Sequence, residues 1–270
     1  MARGAHTRPV AAPPFDGADA RDWTVSRRGV PAGRVDTQRL RSAILGNERR
    51  VWAYTPPGYT PGNPCELLIM FDGWTYSQAI PTPVILNNLL ASGRIAPTAA
   101  LLIDSLDEPT RDRELACYPP FVAFLAEELL PWAHERFQIA GPAIVGGSSY
   151  GGLAAAFAAH ERPDLFGKVL AQSGSFWWKP DADPEHEWLA RQYAETPLLP
   201  LQFYLSVGRR EARARLRPNQ LIVSRHLRDV LRAKGYPVHY RETDGRHDNQ
   251  SWRETLADGI LALAGLSYEF

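Results

Sequence analysis

The sequence predicts an α/β domain: a mostly parallel, doubly wound sheet with helices on both faces. Three observations carry that expectation. Strand-like and helix-like segments take turns along the chain, the strand-like segments are short apolar runs, and from Trp23 onward no fixed-period repeat or low-complexity stretch interrupts them. Runs such as Leu67-Leu68-Ile69-Met70-Phe71 suit strands covered on both faces. In chain order, strands are expected over 50–55, 67–71, 99–103, 143–146, 168–171, 202–207 and 238–242. Helices are expected over 84–92, 121–135, 150–159, 220–234 and 250–264, each with apolar residues at three- and four-residue spacing. In 121–135, for example, Phe121, Phe124, Leu125 and Leu129 form one apolar face with Glu128 beside it.

With 270 residues and 44% hydrophobic content the chain can build one sizeable core, so wholesale disorder is excluded. The 30 Lys and Arg balance 30 Asp and Glu, so no global field draws the protein to nucleic acid or to an anionic membrane. Cys65 and Cys117 are too few for a disulfide scaffold and lack the paired spacing of a zinc site, which suits a reducing cytosol. No secretory or membrane-spanning apolar run opens the chain, and a cytoplasmic location is expected. Residues 1–22, with Pro9, Pro13 and Pro14 among small and charged residues, are expected to be a flexible arm, leaving 23–270 as one domain.

Between the strand at 143–146 and the helix at 150–159 lies Gly147-Ser148-Ser149-Tyr150-Gly151, a G-x-S-x-G pattern centred on Ser149. A sharp strand-to-helix turn there lifts the serine hydroxyl above the sheet's carboxyl edge. Both flanking glycines are expected to be needed to avoid collision with neighbouring backbone. A phosphate loop is excluded because no Lys-Ser or Lys-Thr follows the glycines.

A serine needs an imidazole to take its proton and a carboxylate to orient that imidazole, in the chain order serine, acid, histidine. His6, His134 and His160 do not follow a suitable acid, His186 precedes the relevant strand, and His226 and His239 fall within a helix and a strand. His247 remains, in the loop between the last strand and the last helix. Glu211, just past the strand at 202–207, is the expected acid; Asp244 is the runner-up, and Asp248 is placed to cap the final helix. The oxyanion donors are expected to be the N–H groups of Tyr150 and of Trp74, where Gly73 lets the chain turn.

These residues resemble the enterochelin (enterobactin) esterases of the esterase D superfamily. The resemblance rests on an ordered string of blocks: Arg50-Val51-Trp52-Ala53-Tyr54-Thr55-Pro56, Phe71-Asp72-Gly73, Arg111-Asp112-Arg113-Glu114-Leu115, Ser173-Gly174-Ser175-Phe176-Trp177-Trp178, and Gly245-Arg246-His247-Asp248 with Trp252-Arg253. It implies an α/β-hydrolase fold, with Ser149 and His247 catalytic and Glu211 at the acid position. The implied substrates are esters of catecholate siderophores. Arg246 departs from the family's usual Gly-Gly before the histidine. The short stretch before the first expected strand implies a stand-alone catalytic domain without the accessory N-terminal domain of larger members.

A ferric triscatecholate is a bulky polyanion with aromatic faces, and a pocket for it combines guanidinium groups with flat apolar walls. Arg111 and Arg113, expected in the loop after the strand at 99–103, and Trp177 are the candidate substrate contacts. The run from Arg209 to Arg217 could steer an anion, though a solvated basic face serves as well. The expected function is hydrolysis of a small-molecule siderophore ester, as the iron-free ester or as its ferric complex, by a serine esterase without metal or organic cofactor. A carboxylesterase or acyltransferase for another acyl group, such as a feruloyl ester, and a non-catalytic siderophore-binding protein are the alternatives.

Overall fold

The computed structural model describes residues 23–212 and 219–264; the expected arm at 1–22 and residues 213–217 of the basic run lie outside them. The strands are β1 (Arg34–Ser42), β2 (Asn47–Thr55), β3 (Glu66–Phe71), β4 (Thr98–Ile103), β5 (Ala143–Ser148), β6 (Phe166–Gln172), β7 (Gln202–Gly208) and β8 (Val238–Thr243). The α-helices are α1 (Thr82–Ala91), α2 (Glu108–Glu114), α3 (Pro119–Phe124), α4 (Leu130–His134), α5 (Tyr150–Glu161), α6 (Trp188–Glu195), α7 (Gln220–Lys234) and α8 (Asn249–Ala264). They form one eight-stranded sheet in the order β1-β2-β4-β3-β5-β6-β7-β8. β1 pairs antiparallel with β2, β2 antiparallel with β4, and every other pairing is parallel.

Alternation along each strand divides the interior into two cores. Leu67, Ile69 and Phe71 of β3 face the side covered by α3 to α7, and Leu68 and Met70 face α1 and α8. The central strands β3, β4 and β5 are almost wholly buried. At the start of the described chain Trp23 packs into the second core, its carbonyl accepting from Asn88 Nδ2 at 2.8 Å.

The structure adds β1, which the sequence reading did not contain. Its residues Arg-Val-Asp-Thr-Gln-Arg-Leu-Arg-Ser are mostly exposed, as befits an edge strand whose charges discourage further pairing, so it has no apolar run to announce it. The single helix expected over 121–135 is instead α3, a π-helical segment (Leu125–Leu129) and α4. Pro131 is the physical reason: it has no N–H to donate and its ring crowds the carbonyl of residue 127, and the wider turn, in which Leu130 N–H bonds Leu125 O, accommodates it.

Arg111 and Arg113 are not on a loop but on α2, whose start is set by Asp107: its carboxylate accepts from Thr110 N at 2.8 Å. The parallel strands all end on one edge. There the segments after β3, β4, β5, β6, β7 and β8 converge, bringing together Asp72, Asp104, Ser149, Ser173, Glu211 and His247 from six places in the chain.

Candidate active site

Ser149 is the N-cap of α5 and has φ 56° and ψ −122°, a strained backbone for a residue with a side chain. Its N–H donates to Gln172 O (3.0 Å), and its carbonyl accepts from Gly152 N, Leu153 N and Ser175 N. The turn is therefore bonded to β6 on one side and to α5 on the other. A Cβ at Gly147 would lie 2.8 Å from the Gly151 carbonyl carbon, so nothing larger than glycine fits. Gly151 corrects the expectation: a Cβ there would meet nothing nearer than 3.5 Å, an ordinary contact. Only one of the two flanking glycines is sterically required.

Glu211 and His247 are brought together, with Nδ1 of the imidazole 2.7 Å from Oε2 of the carboxylate. Glu211 sits in a short 3₁₀ turn (Arg209–Ala212) and its side chain is only 2% exposed. Burying a carboxylate is costly unless its oxygens are bonded. Here Oε1 accepts from Gly208 N and from Ser173 Oγ, each at 2.7 Å, while Oε2 faces the histidine. Asp244 lies elsewhere: exposed, it pairs with Arg210 through Nε–Oδ1 at 3.1 Å, which holds its carboxyl below the usual range. Asp248 caps α8, accepting from Ser251 N at 2.9 Å, and that bond lowers its pKa.

The Ser149 hydroxyl lies 3.2 Å from Ser175 Oγ, and among the described residues no hydrogen bond joins it to His247. Tyr150 occupies the first position of α5. Gly73 and Trp74 open the helical turn that continues into a π-helical segment (Thr75–Ala79), so both expected oxyanion donors sit in the first turn of a helix, where N–H groups lack intrahelical partners.

Beside the serine turn opens a cleft of about 410 Å³ lined by Asp72, Trp74, Asp104, Asp107, Glu108, Arg111, Ser148 and Trp252, among others. Arg111 reaches it already paired. Its Nε and Nη2 donate to the two oxygens of Asp72 at 2.7 Å each, and its guanidinium lies 5.9 Å from the Tyr150 ring. Burial opposes its charge, but the bonds and charge of Asp72 prevail and hold its pKa above the ordinary value. Arg113 is not a lining residue; it is largely exposed and lies 3.9 Å from Glu114. Trp177 is half-buried against Tyr150, ring centroids 5.8 Å apart, and does not line the cleft either. A larger cavity of about 600 Å³ lies at the opposite edge of the sheet, between Gly33 and Phe137, and holds neither serine nor histidine.

Sequence reasoning passed over Asp72, Ser173, Ser175 and Trp252 as individual site residues. All four lie inside the blocks that carried the resemblance, which was the available signal. Among the described residues no group of three or more His, Cys, Asp or Glu is arranged to hold a metal ion, and no helix is long and apolar enough to cross a membrane.

Against known families, the “Putative esterase” profile matches residues 42–263. The chain belongs to this esterase family. Among curated relatives, an iron(III) enterobactin esterase of Dickeya dadantii is 34% identical over 247 residues, covering 86% of this chain and 55% of the relative. Among solved structures, the ferric enterobactin esterase of Salmonella typhimurium superposes with a TM-score of 0.79 at 29% identity, covering 90% of this chain and 60% of that one. The Shigella flexneri enterobactin esterase, crystallised in the presence of enterobactin, gives 0.77 at 29% identity, with coverages of 86% and 59%. The esterase chain thus spans little more than half the length of these relatives. It shares the α/β fold of these esterases.

Proposed function

We propose that the protein is a serine esterase that hydrolyses ester bonds of a catecholate siderophore through Ser149, His247 and Glu211. The observation that carries this reading is the buried, fully bonded Glu211 carboxylate on His247 Nδ1, at the same sheet edge as a serine held at φ 56°. A carboxylate on Nδ1 fixes the tautomer that leaves Nε2 free of a proton, the state a general base needs. The substrate class comes from the relatives' names, which are enterobactin esterases over the whole length that this chain shares with them.

For reaction, the Ser149 side chain rotates from Ser175 toward the imidazole. Its Oγ attacks the ester carbonyl while His247 Nε2 takes the hydroxyl proton, and the buried Glu211 stabilises the imidazolium. The N–H groups of Tyr150 and Trp74 receive the charge that develops on the carbonyl oxygen, aided by the positive end of α5. The imidazolium returns its proton to the leaving alcohol. Water then attacks the acyl-serine by the same path, His247 accepting its proton and restoring Ser149, and the acid is released. Arg111, neutralised by Asp72 and 5.9 Å from the Tyr150 ring, lines the cleft as a paired rather than a free cation.

The test is product analysis by mass spectrometry on a triscatechol trilactone, with and without iron, beside a simple aryl butyrate. Stepwise ring opening and trimming by the wild-type protein, lost in Ser149→Ala, is the expected result. Turnover of the butyrate alone would reject the siderophore assignment, and unchanged turnover in Ser149→Ala would reject the mechanism.

A further inference from the structure

The expected acid and base are each contacted by a further side chain that the proposed mechanism does not use. Trp252, in the first turn of α8, packs nearly perpendicular to the His247 imidazole, with centroids 5.1 Å apart and planes at 84°. Its indole Nε1–H donates to Ser173 Oγ at 3.0 Å. Ser173 Oγ in turn donates to Glu211 Oε1 at 2.7 Å, and Glu211 Oε2 returns to His247. The four groups close a ring of three hydrogen bonds and one aromatic contact.

Three of the four corners, Glu211, Ser173 and Trp252, are anchored from outside the ring. Ser173 is buried at the end of β6 with φ 49°, and its N–H bonds Ser206 O at 2.7 Å. A non-glycine residue in the left-handed region persists only where its surroundings demand it. The Trp252 carbonyl accepts from Gln172 Nε2 at 2.7 Å, and Gln172 Oε1 accepts from the buried Tyr76 hydroxyl, also at 2.7 Å. The first turn of α8 is thereby tied to the sheet beneath it. His247 itself is 43% exposed on a loop, so packing from its own segment cannot fix the ring.

Resting on the function proposed above, we infer that Ser173 and Trp252 are positioning residues for the general base: Trp252 braces one side of the imidazole, and Ser173 locks both the brace and the carboxylate into one geometry. Neither touches the reacting atoms. Their contribution is to keep the imidazole in the orientation that reaches Ser149 once the nucleophile rotates.

Trp252→Phe keeps the ring and removes the N–H, whereas Ser173→Ala removes the hydroxyl that both neighbours use. The expected result is a fall in kcat of about tenfold for Trp252→Phe and about a hundredfold for Ser173→Ala, with KM within twofold of wild type. A second signature is expected in the far-downfield proton resonance of the His247–Glu211 bond, which should broaden or disappear in both variants through faster exchange with water. If Ser173→Ala fails to fold, Trp252→Phe decides the matter alone. Unchanged kcat and an unchanged downfield proton in a folded variant overturn the inference, as does a loss confined to KM. Ser149→Ala and His247→Ala are run in parallel. If those two stay active the serine-esterase reading itself has failed; if they are inactive while Trp252→Phe behaves as wild type, only the positioning role has failed.

Discussion

Arg49 and Glu114 form a two-pronged ion pair within the core, Nη1 to Oε2 at 2.9 Å and Nη2 to Oε1 at 3.0 Å, with both side chains at most 2% exposed. Asn47 bonds to both partners, and the guanidinium lies 5.0 Å from the centroid of the Phe124 ring. The pair ties α2 to β2, and α2 carries Arg111 to Asp72. A buried pair of this kind contributes little net stability relative to apolar replacements, yet breaking it strands a charge. Glu114→Leu should therefore cost about 3 kcal/mol in urea unfolding, and Arg49→Met with Glu114→Leu together markedly less. Equal losses in the single and double variants would contradict this account.

The two glycines of the serine turn should behave differently. At Gly147 an added Cβ meets the Gly151 backbone at 2.8 to 3.0 Å, and backbone on both sides cannot give way without moving Ser149. Gly147→Ala should lower kcat/KM by about a hundredfold even where the protein still folds, because small displacements of a nucleophile carry costs of that order. Gly151→Ala, whose Cβ has room, should keep activity within about threefold and gain slightly in helix propensity. Steady-state kinetics on an activated ester, with thermal melts, separate the two.

What was legible in the sequence follows from how each element is held. The central strands are covered on both faces, so their apolar runs betray them: 67–71 and 99–103 differ from β3 and β4 by a single residue. β1 is an edge strand whose hydrogen bonds to β2 do the ordering, and backbone bonds leave no compositional trace. The short helix α2 is polar on most sides and held by Asp107 at its start and by the Arg49 pair at its end, neither of which registers as periodicity. Of the site, the serine turn and the histidine loop are local patterns that a sequence displays. The Ser173 and Trp252 contacts join residues 38 and 79 positions apart from their partners, and only the fold brings them together.

Glu211 and Asp244 make opposite predictions as the acid. Asp244 is mostly exposed and occupied by Arg210, whereas Glu211 is buried with both oxygens bonded. Glu211→Gln should lower kcat by about a thousandfold through loss of the charge that supports the imidazolium. Asp244→Asn should leave kcat within twofold, its sole effect being release of the Arg210 side chain. A large loss in Asp244→Asn with a small one in Glu211→Gln would reverse the assignment.

The charge of the cleft bears on which form of a catecholate ester is favoured. Its lining includes the carboxylates of Asp72, Asp104, Asp107 and Glu108 against the guanidinium of Arg111. Asp72 is matched by Arg111, and Asp104 by Arg50 at 3.0 Å, which leaves the two acids at the start of α2 as the excess. A ferric triscatecholate brings several negative charges close to that excess, whereas the iron-free ester has protonated catechols and arrives neutral. Unlike a cationic pocket, such a rim slows encounter with a polyanion, and the penalty fades as salt screens it over about a Debye length. The iron-free ester should therefore show a kcat/KM about tenfold above the ferric complex at low ionic strength. The gap should narrow as salt rises, and Asp107→Asn with Glu108→Gln should narrow it without salt. A ferric complex cleaved faster at low salt, and slowed by added salt, would mean that the arginines outside the cleft govern its approach.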